Sequence, residues 1–327
     1  MKGLVSFSDE GDTGFYKIQN DQPLALFMVD RACYTIAEMS WILSVLIVAR
    51  QLFCLNGQDL PWKELLMIEI GASTANFYPE LTENALEALL ACGFRTLEVF
   101  INTESELNSE FIRDLRRKAD AAGARIVSLH PYSAGNEPFL LYSAYRRRFE
   151  DGKTLYNRFF EAAAELGASI VVMHGDRLDS PLSVEESLSR YEELYDCGMQ
   201  YGVRLAQENV VRFRSSDNAY LRAMRDRLDS KAHFVLDLKQ AFRCGHALKD
   251  VMDAMEGHIV HVHVSDHNAQ QDCMPPGLGN TDFKRISSHL EEQHFQGAWI
   301  VELYRNNFQC AQDLTECRYF LEKQLEK

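Results

Sequence analysis

The chain has 327 residues, of which 46% are hydrophobic and 25% are charged, a balance typical of soluble globular proteins that excludes disordered, collagen-like and coiled-coil chains. The net charge is −14, which repels phosphate backbones and argues against a dedicated nucleic-acid-binding protein. The 8 cysteines form no C-x-x-C pair and acidic residues interrupt any apolar run near the amino terminus, so we expect no export signal, reduced thiols and a cytoplasmic location.

Residues 1–66 show no regular alternation of strands and helices, and we treat them as a partly helical N-terminal extension of unknown role. The most apolar stretch, 39–49, is far shorter than the roughly 20 residues that a membrane span needs. It predicts a buried helix and no membrane anchor. Two explanations of the extension stay open, an added helical cap or an upstream segment that begins at an early start codon.

From Met67 onward, short apolar runs alternate with amphipathic helical segments that mostly end at glycine. The expected strands are 66–73, 96–101, 125–129, 169–173, 204–207, 232–236, 259–264 and 298–301. The expected helices are one capped near Thr82 and closed by Gly93, 106–122, one that ends before Gly167, 184–201, and four centred on Leu221, Val251, Ile286 and Leu321.

Eight alternating units of this kind predict a parallel sheet with helical crossovers. The body, 67–327, also has about the length of 250 residues that one barrel takes. We therefore predict a (β/α)8 TIM barrel with an N-terminal extension. An open doubly wound sheet would carry a G-x-G-x-x-G turn after its first strand, and Gly71-Ala72-Ser73-Thr74 stands there instead.

Ionisable residues lie in or directly after seven of the expected strands, and in a TIM barrel the carboxyl ends of the strands meet at one mouth. These residues are Glu98, His130, His174, Glu208, Asp237, His261, His263 and Glu302. Four of them on consecutive strands combine three carboxylates with one imidazole and predict a divalent cation, either Mn²⁺, Mg²⁺, Co²⁺ or Zn²⁺. The predicted ligands are Glu208, Asp237, His263 and Glu302. Strand seven offers two histidines, and we choose His263 over His261 because it lies nearer the mouth.

Nine segments resemble the xylose isomerase-like barrel superfamily, which includes sugar isomerases and epimerases, inosose dehydratases and type IV apurinic endonucleases. They are IEIGAST, TLEVF, VSLHPY, VVMHGD, AQENV, FVLDLKQA, HVHVSDH, PPGLGNTD and IVELY. The resemblance implies the same four metal ligands. In the endonucleases a third zinc site uses histidines where this chain has Gln240 and Cys273, so we expect that site to be absent, which argues against a role in DNA repair.

The resemblance allows two roles for His130 and His174, as ligands of a second metal ion or as substrate contacts. His130 and His174 match endonuclease residues that share Glu208 with another zinc, and a second metal ion is one reading. We prefer the other, in which both donate hydrogen bonds to sugar hydroxyls. Gln240 stands where the ketose 3-epimerases have a substrate-contacting histidine, and Arg212 is a candidate for a sugar phosphate, so both are predicted substrate contacts.

The predicted function is a metal-dependent isomerase or epimerase of a sugar or sugar phosphate, working by proton transfer through an enediolate. Glu208 and Glu302 are then ligands and the acid–base pair, while Asp237 and His263 are ligands only. The alternatives are a lyase that dehydrates a cyclic polyol and a two-metal hydrolase of the endonuclease type. A sugar-binding barrel without catalysis is disfavoured because all four ligands are kept. The partner is a small sugar or polyol, and formation of a homo-oligomer stays open.

Overall fold

The computed structural model describes residues 68–326. Its eight strands are parallel, pair in chain order, and close into a barrel through pairing of the last strand with the first. They are β1 (Glu69–Ser73), β2 (Thr96–Ile101), β3 (Arg125–Pro131), β4 (Ile170–Met173), β5 (Arg204–Glu208), β6 (Phe234–Asp237), β7 (Ile259–Val264) and β8 (Ala298–Val301). The predicted TIM barrel is confirmed. The predicted extension, 1–66, lies outside the described residues, and the boundary at Met67 stays a prediction.

The α-helices of the described part alternate with the strands. They are α1 (Thr82–Ala91), α2 (Ser109–Ala121), α3 (Glu137–Leu140), α4 (Arg146–Leu166), α5 (Val184–Met199), α6 (Asn218–Leu228), α7 (Leu238–Arg243), α8 (Leu248–Ala254), α9 (Phe283–Glu292) and α10 (Ala311–Leu325). Across residues 68–326, no helix combines the length and the apolar character that crossing a bilayer would require.

Several element bounds differ by a few residues from the sequence-based expectation, and two differences near β6 have a clear local cause. β6 begins at Phe234, two residues later than predicted, because the amide of Ala232 closes a 3-10 turn by donating to Asp229. Helix α7 was not predicted, since six residues are too few to show a helical period. It starts directly after β6, where the Asp237 carboxylate accepts a hydrogen bond of 2.7 Å from the amide of Gln240.

The interior of the barrel holds a small apolar cluster of Ile170, Val172, Ala206 and Val235, separate from the larger core between the strands and the helices. Side chains two residues apart in a strand point to the same face. The residues two positions after Val172, Ala206 and Val235 are His174, Glu208 and Asp237, and the same period brings them to the interior at the mouth. A short apolar layer therefore lies under the polar site.

Gly71 in β1 packs against its neighbouring strands without room for a side chain. An added Cβ would lie 2.4 Å from the carbonyl oxygen of Thr96 and 2.6 Å from Cδ1 of Ile300. We expect Gly71→Ala to lower the free energy of unfolding by about 1–3 kcal/mol, the usual range for overpacking. Denaturant unfolding measures it, and Gly135→Ala is the control because nothing lies within 4 Å of its added Cβ. Equal stability of the two variants would contradict this packing argument.

Candidate metal centre

The four predicted ligands come together at the carboxyl end of the barrel. Glu208 and Asp237 end β5 and β6, His263 lies in β7, and Glu302 follows β8. One ligand atom from each side chain lies within 4.8 Å of those of the other three. Glu208, Asp237 and His263 are buried, while Glu302 is partly exposed. The period-two pattern of the strands thus produces one compact cluster from four separate segments.

The Nδ1 atom of His263 lies close to all three carboxylates. This nitrogen lies 3.4 Å from Oε1 of Glu208, 3.8 Å from Oδ2 of Asp237 and 3.5 Å from Oε2 of Glu302. Oδ2 of Asp237 is buried and accepts no hydrogen bond from the described residues. A buried oxygen without a donor is costly, and a cation would satisfy it. Three carboxylates and one imidazole, around a buried oxygen that accepts no hydrogen bond, fit a divalent ion such as Mn²⁺, Mg²⁺, Co²⁺ or Zn²⁺.

The pKa values of Glu208 and His263 in this cluster are shifted strongly from their ordinary values. Burial would raise the pKa of Glu208, but the charge of His174 and the hydrogen bonds from His174 and His263 hold that pKa well below its usual range. Burial would lower the pKa of His263, but the Glu302 and Glu98 carboxylates raise it well above its ordinary value. Shifts of this kind cluster at functional sites.

Lys239 belongs to the cluster, although the sequence reasoning missed it. Its Nζ donates a hydrogen bond of 3.0 Å to Oε2 of Glu302 and lies 3.4 Å from Oδ2 of Asp237. The side chain is only 6% exposed and lies over the ring of Tyr304, 5.0 Å from its centroid. The sequence does show a lysine two residues after a strand-end carboxylate, which could have indicated its place at the site. The direction of the Lys239 side chain, however, depends on the short helix α7, which was not predicted.

Glu98 is one of the ionisable strand residues that the sequence analysis named without giving it a role. Its Oε2 lies 3.2 Å from Nε2 of His263 and 3.1 Å from Nε2 of His261, and accepts a hydrogen bond of 2.8 Å from Ser128. Burial would raise the pKa of Glu98, but the two imidazoles hold it well below its usual range. A carboxylate on one nitrogen fixes the tautomer and ring orientation of a histidine ligand. His263 is thereby oriented to present Nδ1 to the other three ligands.

The two remaining predicted histidines lie against Glu208. Nε2 of His174 is 2.9 Å from Oε2 of Glu208, and Nε2 of His130 is 3.9 Å from the same oxygen. Ligand atoms of these three side chains also lie within 4.8 Å of one another. The geometry therefore accommodates both readings of this pair, a second ion and a pair of substrate contacts.

Glu137 supports the end of β4 and was also missed by the sequence reasoning. This fully buried carboxylate accepts hydrogen bonds of 2.5 Å from the hydroxyl of Tyr156 and 2.5 Å from the amide of Gly175. Burial raises the pKa of Glu137 to about 7. Because Gly175 follows His174, Glu137 holds the backbone that carries this histidine.

The region that departs from the three-zinc pattern is filled by side-chain pairs. Gln240 accepts a hydrogen bond of 3.2 Å from the amide of Val211 through Oε1. Asp272 accepts hydrogen bonds of 2.5 Å and 3.1 Å from Arg243, which also donates to the hydroxyl of Tyr304 at 2.8 Å. Gln240 and Asp272 thus each accept hydrogen bonds from neighbouring groups of the protein.

Arg212 differs from the nearby Arg214. Arg214 is largely buried and pairs with Asp176 at 3.2 Å. Arg212 is exposed, has a backbone φ of 72°, and its side chain makes no hydrogen bond or ion pair with the described residues. Of these two arginines, only Arg212 is available to an incoming anion.

The protein is thus a (β/α)8 barrel that has carboxylates and histidines clustered at its mouth. The sequence profile of the xylose isomerase-like TIM barrel family matches residues 86–321, and the chain belongs to that family. An uncharacterised protein of Mycobacterium leprae is 23% identical over 283 residues, which cover 78% of this chain and 96% of that protein.

Solved structures share the fold. A D-tagatose 3-epimerase-like protein has a TM-score of 0.66 at 20% identity, over 79% of this chain and 97% of the other. The 3-keto-D-glucoside 4-epimerase of E. coli has a TM-score of 0.63 at 19% identity, over 78% and 99%. The D-psicose 3-epimerase of Clostridium cellulolyticum H10 has a TM-score of 0.66 at 15% identity, over 80% and 100%. At these identities the likeness establishes the fold.

Proposed function

We propose that the protein is a divalent-metal-dependent isomerase or epimerase of a sugar or sugar phosphate. The observation that carries the proposal is the convergence of Glu208, Asp237, His263 and Glu302 within 4.8 Å at the barrel mouth. The names of the similar solved structures, several of them sugar epimerases, support the same class of substrate.

The chain supplies two carboxylates for proton transfer. Glu208, Asp237, His263 and Glu302 would hold a divalent ion, which would supply Lewis-acid chemistry at the sugar oxygens that become negatively charged when the proton is lost. Glu302 removes the proton from the carbon next to the carbonyl, and Glu208 returns a proton. Return to the opposite face of the same carbon gives an epimer, and return to the neighbouring carbon converts an aldose into a ketose.

The remaining predicted residues bind and orient the substrate. His130 and His174 lie beside Glu208 and donate hydrogen bonds to sugar hydroxyls. Gln240 lies in the first turn of α7, and its side-chain oxygen accepts a hydrogen bond from the amide of Val211, so its NH2 group is the part that would contact a substrate. These groups hold the reacting carbon near the carboxylates, which is where positioning lowers the barrier.

One alternative has a specific observation in its favour. The group of His130, His174 and Glu208 has the ligand types and spacing of a second metal site, which a hydrolase of the endonuclease type would use. Dehydration of a cyclic polyol is the other alternative, and for a polyol that carries a keto group it also begins with loss of a proton beside a carbonyl.

Metal content and proton exchange together test the proposal. The purified chain is analysed for bound metal and then incubated in D₂O with ketoses, their phosphates and cyclic polyols while NMR follows the exchange of carbon-bound protons. One metal equivalent with exchange into a ketose supports the proposal. Two tightly held equivalents with cleavage of a phosphodiester favour the hydrolase, and exchange followed by loss of water from a polyol favours the dehydratase.

Arg212→Gly tests whether the substrate carries a phosphate. Glycine adopts the positive φ at this position without strain, so the variant removes the guanidinium and keeps the loop. We expect KM for a sugar phosphate to rise about tenfold, the typical loss of a hydrogen bond to a charged group, while KM for the free sugar is unchanged. Arg212→Lys, which keeps the charge, is the control. An equal effect on phosphorylated and free sugars would contradict phosphate recognition at this position.

A further inference from the structure

Lys239 is a buried cation at the edge of the metal centre. It extends from the first turn of α7, and its ammonium contacts two of the four predicted ligands, Glu302 at 3.0 Å and Asp237 at 3.4 Å. The ring of Tyr304 covers it, at 5.0 Å from the ring centroid. A lysine is seldom fully buried unless it is paired, so this one is held in place by the centre itself.

The ammonium lies beside the ligand cluster and not in the middle of it. Its contacts are on the side of Asp237 and Glu302, and within the described residues it makes no ion pair with Glu208, whose nearest cationic partners are histidines. A divalent ion and the ammonium can therefore be held by the same carboxylates side by side. Both positive groups then face whatever molecule approaches Glu302.

The ammonium also has unused hydrogen-bonding capacity. Of its three N–H groups, one donates to Glu302, and no other hydrogen bond from Nζ is made to residues 68–326. A purely structural lysine would be expected to satisfy its donors within the protein, because unmet donors in a buried site are costly. Besides the hydrogen bond to Glu302 and the ion pair with Asp237, the ammonium therefore has capacity for a further acceptor, which points to a ligand.

We propose that Lys239 is a catalytic residue that donates a hydrogen bond to the substrate oxygen on which negative charge develops. The inference rests on the proposed function, in which Glu302 removes the proton from the neighbouring carbon. Because Nζ lies 3.0 Å from Oε2 of Glu302, a substrate carbon that touches this carboxylate brings its attached oxygen within reach of the ammonium. A donor aimed at developing charge in a site largely shielded from water is the arrangement that stabilises an oxyanion.

The test separates binding of the metal from binding of the charged oxygen. Lys239→Met keeps the length of the side chain and removes the charge. Calorimetry measures the affinity for Mn²⁺ and then, on the Mn²⁺-loaded protein, the affinity for glycolohydroxamate, a small mimic of an enediolate. We expect Lys239→Met to bind Mn²⁺ as tightly as the wild type or more tightly, because a neighbouring positive charge is removed, and to bind the hydroxamate about tenfold more weakly or worse.

Two further variants keep the test decisive. Lys249→Met removes an exposed lysine that pairs with Asp253 at 2.6 Å on α8, and it should change neither affinity. Lys239→Arg keeps a positive charge and should retain more hydroxamate affinity than Lys239→Met. Equal losses in the arginine and methionine variants would overturn the inference, and so would a hydroxamate loss of less than about tenfold in the methionine variant.

A parallel loss of Mn²⁺ and hydroxamate affinity in Lys239→Met would also overturn the inference, since Lys239 would then merely organise Asp237 and Glu302. These results leave the proposed function standing, because the wild type still binds Mn²⁺. Absence of Mn²⁺ binding by the wild type would instead overturn the proposed function, and the role of Lys239 with it.

Discussion

Glu302→Gln is expected to lower the rate of proton exchange between substrate and solvent by about 10²–10⁴-fold, the range that a positioned acid–base group supplies. Glutamine keeps the shape and the carbonyl oxygen of the side chain but cannot take up a proton. The measurement is loss of the carbon-bound proton signal in D₂O, recorded by NMR at saturating Mn²⁺ so that a weaker metal site does not limit the rate.

Asp237→Asn is the matched control for this experiment, because Asp237 is a predicted ligand without a role in proton transfer. Asparagine retains the oxygen that accepts the hydrogen bond from Gln240 at the start of α7. We expect the asparagine variant to bind Mn²⁺ more weakly and to regain most of its exchange at saturating metal. If Glu302→Gln also recovers at high Mn²⁺, Glu302 is a ligand only, and another group removes the proton.

Glu98→Gln is expected to weaken Mn²⁺ binding by about 10–100-fold, the usual effect of removing the carboxylate behind a histidine ligand. Oε2 of Glu98 lies between Nε2 atoms of His261 and His263, and glutamine can keep an oxygen there but removes the negative charge that strengthens both contacts. His263 is then held less firmly in the orientation that presents Nδ1 to the other predicted ligands. Competition with a chromophoric chelator measures the affinity without reference to any substrate.

Ser128→Ala provides the comparison for Glu98. It removes a hydrogen bond to the same oxygen of Glu98 but leaves both contacts of Glu98 with the histidines unchanged. We expect the alanine variant to keep Mn²⁺ affinity close to that of the wild type. Equal losses in the two variants would mean that disturbance of the packed interior, rather than orientation of His263, controls metal binding.

The barrel was predictable because its signals are local. An apolar run of four to six residues followed by an amphipathic helix identifies a strand–helix unit, and β2, β7 and β8 have the bounds that the sequence predicts. The failures arise where the local signal is weak or ambiguous. Ala232 continues an apolar run but closes a turn instead of entering β6, and the six residues of α7 are shorter than two helical turns.

The predicted metal ligands could be found from the sequence because each lies at or near the end of a strand, and the ends of parallel strands meet at one mouth. The positions of the residues that surround them follow no such pattern. Glu98 and His263 are 165 residues apart, and only the closed barrel brings them together. Lys239 and Glu137 carry charges that resemble ordinary surface charges in the sequence, and tertiary packing decides that both are buried.

The contact between Glu98 and His263 also links the two halves of the barrel. All four proposed ligands come from β5 to β8 or the residue that follows β8, whereas the carboxylate that orients one of them comes from β2. A fragment containing only the second half would thus carry every donor atom and still lack the group that sets the tautomer of one imidazole. We therefore expect the affinity of the proposed metal site to depend on closure of the barrel, so that a change that loosens β1 or β2 weakens metal binding.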